Sequence, residues 1–453
     1  MKFILISFFL ISSVFAKESF LDSVKRTEWD IGNDEEMEVV WIEDNKFPRF
    51  TASIYFQDGA LNDSISGITQ TTFDLLTAGT AKENQREISE FFDFYGVNLR
   101  HSVTHEYSVL TVQALTRDIK PVMGKVCELF NNAEYPQNKL DSHVSRAQSH
   151  LKNLVTSHSS LADRVFRRIS LKDTPYELPV EGTLESFKKM TPLLLKTRLQ
   201  NLNKTRKVLY LAGPSDVKDM KDVIAKKCNW SNEIKSSRQE LKKPAQQSAI
   251  YLVTVPKANQ AQIRIGRYMT PSEFTGKYDH FYFLSSFLGG GFTSKLVQEL
   301  RVKRGLTYSA GAYVSMLRDY GRAGLITFSK NETAAEAISI IRDVLSEVTN
   351  GKVEMKEFLH QKNHQIGAHA FNFEETGAFL GQIMLYDHQK RDLKELVHFP
   401  ERIGEMTLTE LASASMQTFP WDRQTIVIVG DESLVKSLSR IRPVRVVDYK
   451  DYL

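Results

Sequence analysis

The chain has 11 histidines, and some of them have a spacing that could bind a metal ion. His360 and His364 stand four residues apart in a stretch with helical spacing, so both imidazoles would lie on one helix face and could bind zinc. His369 follows, but no Glu-His motif surrounds the pair, and we interpret these residues as polar surface or interface positions. His101 and His105 flank a strand turn. His143, His150 and His158 lie in a polar helical region, where we expect them to be solvated.

A run of three glycines, Gly289, Gly290 and Gly291, is the second chemical candidate, because glycine-rich loops can bind phosphate. A phosphate loop continues into Gly-Lys-Ser/Thr and follows a strand. Here that continuation is absent and the preceding segment has helical character. Two interpretations stay open: a flexible loop that contacts an extended peptide substrate, and a tight turn between two helices.

The elements that position these residues occur twice along the chain. Predicted strands and glycines of the first half recur 209 residues later, and each half closes with a strand that ends in glycine. The pairs 209 residues apart are Ala52–Phe56 with Ala261–Ile265, Gly67 with Gly276, and Gly96 with Gly305. The closing strands, Val208–Gly213 and Ile426–Gly430, end 217 residues apart. A period of this length has the size of a domain rather than of a solenoid repeat. The sequence therefore predicts two homologous halves.

Each half is predicted to be α+β, an antiparallel-rich sheet packed with helices. Alternating apolar residues in 107–113 and 324–328 are typical of half-buried strands. Apolar residues at helical spacing from Thr333 to Val348 predict a helix on one face of a sheet, and Thr333 with Glu336 fits a capping box at its start. We place the domains at 17–230 and 249–453, with a polar linker at 231–248.

Composition excludes several classes of protein. The chain has 453 residues, 42% of them hydrophobic and 25% charged, with a formal net charge of +4. These values are typical of globular domains and imply no strong field for nucleic acid. Two cysteines are too few for a disulfide framework or a four-thiolate zinc site. Cys127 and Cys228 could form one disulfide or remain two buried thiols, and the spacing leaves both open.

The N-terminus has the pattern of a secretory signal peptide. Lys2 precedes an apolar stretch that is too short to span a membrane, and Val14-Phe15-Ala16 fits the small-x-small rule for cleavage. We predict that residues 1–16 are removed and that the mature chain is exported, to the bacterial periplasm, with no membrane span. An uncleaved anchor is the alternative.

Three segments of the chain carry a resemblance to a known family. The most specific is Leu288–Ser309, with the sequence LGGGFTSKLVQELRVKRGLTYS, and weaker ones are Pro175-Tyr176 with Glu181–Glu185, and Asn372–Thr376. With the exported N-terminus and the repeat, the chain resembles the pitrilysin/insulinase family of zinc metallopeptidases, in its short processing-peptidase-like form. The resemblance extends over nearly the whole mature chain and implies a two-domain peptidase fold.

The zinc motif of that family is degenerate in this chain. Peptidases of the family carry His-x-x-Glu-His on the first helix, where the two histidines bind zinc and the glutamate activates water. Aligned on Gly79-Thr80, the three positions are Gln70, Phe73 and Asp74, and the distal glutamate is expected near Gln148. The resemblance therefore implies an inactivated first half and no metal bound by this chain.

A second functional motif of the family is retained. Arg301 and Tyr308 match a pair that, in active relatives, reaches from the second domain to bind substrate and stabilise the oxyanion. The repeat places Phe92 and Leu99 at the equivalent positions of the first half, so the pair is not a requirement of the fold. The alternative is a surface ion pair and a packed tyrosine. We expect the nearby Arg304 to be solvated.

The resemblance implies a non-catalytic subunit of an exported heterodimeric zinc peptidase. In this hypothesis the chain contributes chamber wall, peptide binding through Gly289–Gly291, and Arg301 with Tyr308 in trans, while a homologous partner subunit carries the zinc. The alternative is a protein without peptidase activity, either a homodimer that binds peptide or a scaffold protein. A third hypothesis, an active peptidase with an unconventional metal site, has the least support. The substrate expected in the first two is unfolded peptide.

Overall fold

The computed structural model describes residues 21–32, 35–235, 239–242 and 249–453. The predicted signal peptide and half of the predicted linker lie outside these ranges. The chain forms two compact units, and neither is a continuous stretch of sequence. Among the described residues, the first comprises 21–32, 35–147, 180–235 and 371–397, and the second comprises 148–179, 239–242, 249–370 and 398–453.

The first unit is built on a six-stranded mixed sheet in the order β1-β2-β6-β3-β5-β4. Its strands are β1 Val24–Gly32, β2 Glu35–Glu43, β3 Arg49–Phe56, β4 Asn98–Val103, β5 Ser108–Leu115 and β6 Lys207–Gly213. Strands β2 and β6 pair in parallel, and the other neighbours are antiparallel. Every residue of β6 is buried, which explains its nearly continuous apolar sequence.

The second unit repeats this sheet in the order β12-β7-β11-β8-β10-β9. Its strands are β7 Ile250–Thr254, β8 Gln260–Met269, β9 Ala310–Met316, β10 Gly321–Lys330, β11 Thr425–Gly430 and β12 Val444–Val447. The five strands β7-β11-β8-β10-β9 correspond in order to β2-β6-β3-β5-β4 of the first sheet. The outer strand differs, because β1 is antiparallel to its neighbour whereas β12 is parallel.

Helices cover the sheets of both units, as the α+β prediction required. Numbered along the chain, they are α1 Ile68–Asp74, α2 Gln85–Phe94, α3 Ile119–Asn132, α4 Gln137–Asn153, α5 His158–Ser170, α6 Leu184–Phe187, α7 Pro192–Lys204, α8 Met220–Lys227, α9 Pro271–Phe274, α10 Tyr278–Gly289, α11 Lys295–Val297, α12 Ala334–Thr349, α13 Met355–His369, α14 Thr376–Gln389, α15 Leu393–Val397, α16 Phe399–Glu405, α17 Leu408–Thr418 and α18 Leu434–Leu438. Within the described ranges, none of these helices is long and apolar enough to cross a membrane.

Two glycine pairs give the repeat a physical basis. Gly67 and Gly276 have φ of 87° and 79°, and Gly96 and Gly305 have φ of 59° and 63°. A left-handed backbone is accessible to glycine at little cost and is unfavourable for other residues. Equivalent turns of the two halves therefore retain glycine at the same offset, and the predicted repeat is confirmed.

Each unit contains a helix from the opposite half of the sequence. Helix α5 belongs to the first half, but it packs against β8 and β11 of the second sheet. Helix α14 belongs to the second half and packs against β6 of the first sheet. We call α5 and α14 the exchanged helices. The predicted domain limits 17–230 and 249–453 do not describe this exchange.

Two local predictions can be compared directly with the structure. Cys127 and Cys228 form a disulfide with a Cα–Cα distance of 4.6 Å, which settles the alternative that the spacing left open. The predicted capping box of α12 is wrong. Thr333 is the N-cap but makes no capping bond, because its hydroxyl donates to the carbonyl of Lys330 at 3.2 Å instead.

Candidate functional site

Arg301 and Tyr308 lie in the second unit, on either side of a tight segment between α11 and β9. Arg301 is in a π-helical turn, Gln298–Val302, in which the amide of Lys303 donates to the carbonyl of Gln298 at 3.0 Å. π-helical turns are rare in proteins, but many of those known are at functional sites. Tyr308 precedes β9 by two residues, and 79% of its surface is exposed. Arg301 is half-buried.

The other cations of this segment converge on one carboxylate. Glu299 is 8% exposed, and it accepts hydrogen bonds of 2.6 Å from Lys303 and of 2.6 Å from Arg304, with Lys295 at 4.0 Å. Burial alone would raise the pKa of Glu299, but the bonds from Lys303 and Arg304 outweigh it and the pKa is lowered. Arg304, which we expected to be solvated, is therefore ion-paired.

The guanidinium of Arg301 differs from its neighbours in its environment. Among the residues that the structure describes, no carboxylate lies within ion-pairing distance of it. Its Cζ atom lies instead 5.0 Å from the centre of the Phe292 ring. A guanidinium in contact with a ring face retains N–H donors at its edge. The predicted alternative, a surface ion pair for Arg301, is not what the structure contains.

The three glycines form the turn between α10 and α11. A Cβ atom at Gly289 would lie 2.0 Å from the amide nitrogen of Ala312 in β9, so this position requires glycine for close packing. Gly290 would meet Ser286, whereas Gly291 faces open space, and both are exposed. The turn agrees with one of the two interpretations, and peptide binding at these glycines stays a prediction.

The degenerate zinc positions lie on α1 in the first unit, where they are engaged with other residues. The Gln70 amide donates to the Asp74 carboxylate at 2.9 Å, and the His101 imidazole lies 2.9 Å from the same oxygen and 3.1 Å from the Gln70 amide. Phe73 is 4% exposed and stacks on His101 with ring centres 5.7 Å apart. Its other neighbours are aromatic, with Phe56 at 5.9 Å.

His143 of α4 is the second histidine beside Asp74, at 3.7 Å. Burial lowers the pKa of His143, the Asp74 carboxylate opposes this, and Arg146 lowers the pKa further. The sequence analysis placed His101 beside a strand turn and expected His143 to be solvated, and it linked neither residue to Asp74. A signal for His101 existed, because alternation along β4 places it on the same face as Leu99. No comparable signal pointed to His143.

The residues at the degenerate positions do not fit a zinc site. Phe73 offers no ligand atom, and Gln70 and Asp74 are hydrogen-bonded to each other and to His101. Elsewhere in the described ranges, no group of three or more His, Cys, Asp or Glu residues is arranged to bind a metal ion. His360 and His364 are exposed on α13, while His369 is buried and stacks on Phe399 at 4.9 Å.

Two family profiles match consecutive parts of the chain. Residues 38–184 match the profile described as insulinase (peptidase family M16), and residues 194–364 match the profile described as peptidase M16 inactive domain. The degenerate zinc positions fall in the first match, and Arg301 and Tyr308 fall in the second.

Individual relatives are similar at low identity over most of their length. The uncharacterized zinc protease YmxG of Bacillus subtilis is 21% identical over 360 residues, covering 78% of this chain and 87% of that protein. A Helicobacter pylori protein named non-peptidase homolog YmxG is 20% identical over 400 residues, covering 81% and 89%. The crystal structure of a peptidase M16 inactive domain from Pseudomonas fluorescens superposes with a TM-score of 0.79 at 18% identity, covering 90% of this chain and 98% of that one.

Proposed function

Because the chain belongs to the M16 (insulinase) peptidase family, we propose that it is the non-catalytic subunit of an exported two-chain zinc peptidase. A homologous partner subunit carries the zinc ion, which supplies the activated water. This chain forms part of the chamber wall and binds unfolded peptide. It also contributes Arg301 and Tyr308 to the partner's active centre.

The proposal rests mainly on the absence of a carboxylate partner for Arg301 among the described residues. Lys303 and Arg304 are held by Glu299, whereas the guanidinium of Arg301 has no carboxylate partner among the described residues. The Tyr308 phenol is exposed as well. Both groups donate hydrogen bonds at neutral pH. A tetrahedral intermediate of peptide hydrolysis carries negative charge on the former carbonyl oxygen, and donors directed at that oxygen lower the barrier.

The first unit supports the same division of labour. Where a catalytic relative needs two histidines and a glutamate, this chain has Gln70, Phe73 and Asp74, with Phe73 inside an aromatic cluster. These residues do not supply a zinc centre, so hydrolysis requires one from another chain. The disulfide between Cys127 and Cys228 supports the exported location, since disulfides persist in oxidising compartments.

A peptide-binding or scaffold protein without peptidase activity is the second candidate. One observation favours it, namely that a relative of similar length has the name non-peptidase homolog. In this case a free guanidinium and an exposed phenol bind peptide in a homodimer, and no zinc-bearing partner exists.

The test is cleavage by the native complex. We expect affinity purification of the tagged chain from its own cells to recover a homologous chain with His-x-x-Glu-His. Cleavage of an unfolded peptide by that complex is then measured with Arg301→Ala and Tyr308→Phe. Loss of one oxyanion donor lowers kcat by about 10²- to 10³-fold. Arg304→Ala is the matched control, because Arg304 is paired with Glu299, and we expect near wild-type rates. Unchanged rates in both Arg301 and Tyr308 variants would exclude the donor role, and recovery of the chain alone would favour the second candidate.

A further inference from the structure

Phe292 is a large apolar residue with 74% of its surface exposed, in the turn that follows α10. Exposure of this kind gives little stability through burial. The Arg301 guanidinium lies 5.0 Å from the centre of its ring. We propose that Phe292 is a positioning residue, which holds Arg301 by a cation–π contact with its N–H donors directed away from the protein. The inference rests on the proposed donor function of Arg301.

The backbone that carries Phe292 is fixed on both sides of the ring. The carbonyl of Phe292 accepts a hydrogen bond of 2.7 Å from the Gln298 side chain. The carbonyl of Gly291 accepts bonds from the amide and hydroxyl of Ser294, at 3.0 and 2.6 Å. Upstream, Gly289 is in close contact with β9. The ring is therefore presented from an anchored turn.

A cation–π contact suits a donor better than an ion pair does. A carboxylate partner would occupy the guanidinium edge and neutralise its charge, as Glu299 does for Arg304. An aromatic ring has no net charge, so it leaves the guanidinium charge in place and N–H donors available. Glu299 also attracts Lys303, so Arg301 is the cation of this turn that remains for a substrate.

The π-helical turn contributes to the same arrangement. In a regular helix the amide of Lys303 would bond to the carbonyl of Glu299, but here it bonds to that of Gln298. The extra residue in the turn changes the direction of the side chains that follow. Glu299 and Arg301 are two residues apart in this turn, a spacing that does not bring helical side chains together, and their environments are separate.

The experiment compares Phe292→Leu, which is apolar but has no ring, with Phe292→Tyr, which restores the ring face. In the isolated chain, ¹⁵N relaxation of the Arg301 side-chain Nε–H group, assigned with Arg301→Lys, reports its order. We expect the group to be ordered in the wild type and in Phe292→Tyr and mobile in Phe292→Leu. Equal mobility in all three proteins would overturn the proposal.

The second readout is peptide cleavage by the native complex. We expect Phe292→Leu to lower kcat by about two- to five-fold, with little change in KM, since a cation–π contact at an exposed site is a weak interaction. Phe292→Tyr should restore the rate, and Phe292→Leu should have no effect when Arg301 is already alanine. A loss that persists in the Arg301→Ala background would contradict a role through Arg301. If the relaxation result holds but no cleaving complex exists, the proposed function fails and the contact between the two side chains stands.

Discussion

Removal of the disulfide is expected to destabilise the first unit strongly. Cys127 lies in α3 and Cys228 directly follows α8, and both are almost fully buried. The bond joins positions 101 residues apart, so it restricts a long loop in the unfolded chain. For a loop of about 100 residues, the loop-entropy relation gives a stabilisation of about 4.7 kcal/mol at 25 °C. The prediction concerns the double variant Cys127→Ala/Cys228→Ala.

Tryptophan fluorescence can report on the first unit separately. Of the four tryptophans, Trp29, Trp41 and Trp230 belong to the first unit and Trp421 to the second. In a Trp421→Phe background, urea unfolding followed by fluorescence therefore measures the first unit. With a urea dependence of about 2 kcal/mol per M, we expect the midpoint of the double variant to fall by about 2 M.

Two controls separate the cross-link from the cost of the substitutions. The wild type reduced with a thiol should unfold near the midpoint of the double variant, since both lack the bond. Trp421→Phe with the cysteines intact should retain the wild-type midpoint of the first unit. A double variant that unfolds at the same urea concentration as the oxidised wild type would refute the loop-entropy reasoning.

Two further predictions concern pH and chain connectivity. Asp63 is buried beside Arg198, and burial raises its pKa to about 6, despite the Arg198 charge and the bonds from Thr69. The native pKa exceeds the ordinary value of 3.8, so the contribution of this carboxyl to folding is fully present below about pH 4 and is lost as the pH rises through 6. The loss is about 3 kcal/mol at most. In urea unfolding, Asp63→Asn should therefore gain stability relative to the wild type between pH 4.5 and 7.5, and a difference that stays constant with pH would contradict this. Each sheet packs against a helix from the other half of the sequence. Residues 17–235 and 239–453, coexpressed as separate chains, should therefore copurify. Two fragments that fold independently and separate during purification would refute the importance of the exchanged helices.

The repeat could be predicted because its signals are local. Gly67 and Gly276, like Gly96 and Gly305, occupy left-handed turns that only glycine adopts readily. Such positions keep their spacing while the surrounding sequence diverges. The outermost strands β1 and β12 carry no such marker and differ in direction, and the repeat did not reveal them.

The exchanged helices could not be predicted from one sequence. Periodicity shows which face of a helix is apolar, but it does not show which of two similar sheets will cover that face. The partners that fix α14 are far apart in the chain, since the His388 imidazole bonds to Glu106 at 2.6 Å and to Tyr55 at 2.8 Å. For α5, Asp163 pairs with Arg264 at 2.5 Å. Such long-range pairs leave no pattern within either segment.

In the candidate site, too, one part could be predicted from the sequence and another part could not. The motif that contains Arg301 and Tyr308 is contiguous, so both residues could be identified before the structure was known. The environment of each cation depends on side-chain direction in a π-helical turn, and the same spacing would suit a regular helix. The role of Glu299 as partner of Arg304, and the contact of Arg301 with Phe292, therefore became visible only in three dimensions.

The packing around Phe73 also determines whether a zinc motif could be introduced on α1. Restoring His-x-x-Glu-His on α1 would place a glutamate at Phe73, whose ring lies within 6.4 Å of Phe56, Phe130 and His101 ring centres. A carboxylate in that aromatic cluster would be desolvated and would leave a void where the ring now packs. The distal glutamate near Gln148 would be absent as well. Three substitutions on one helix are therefore insufficient to create a zinc centre in this chain.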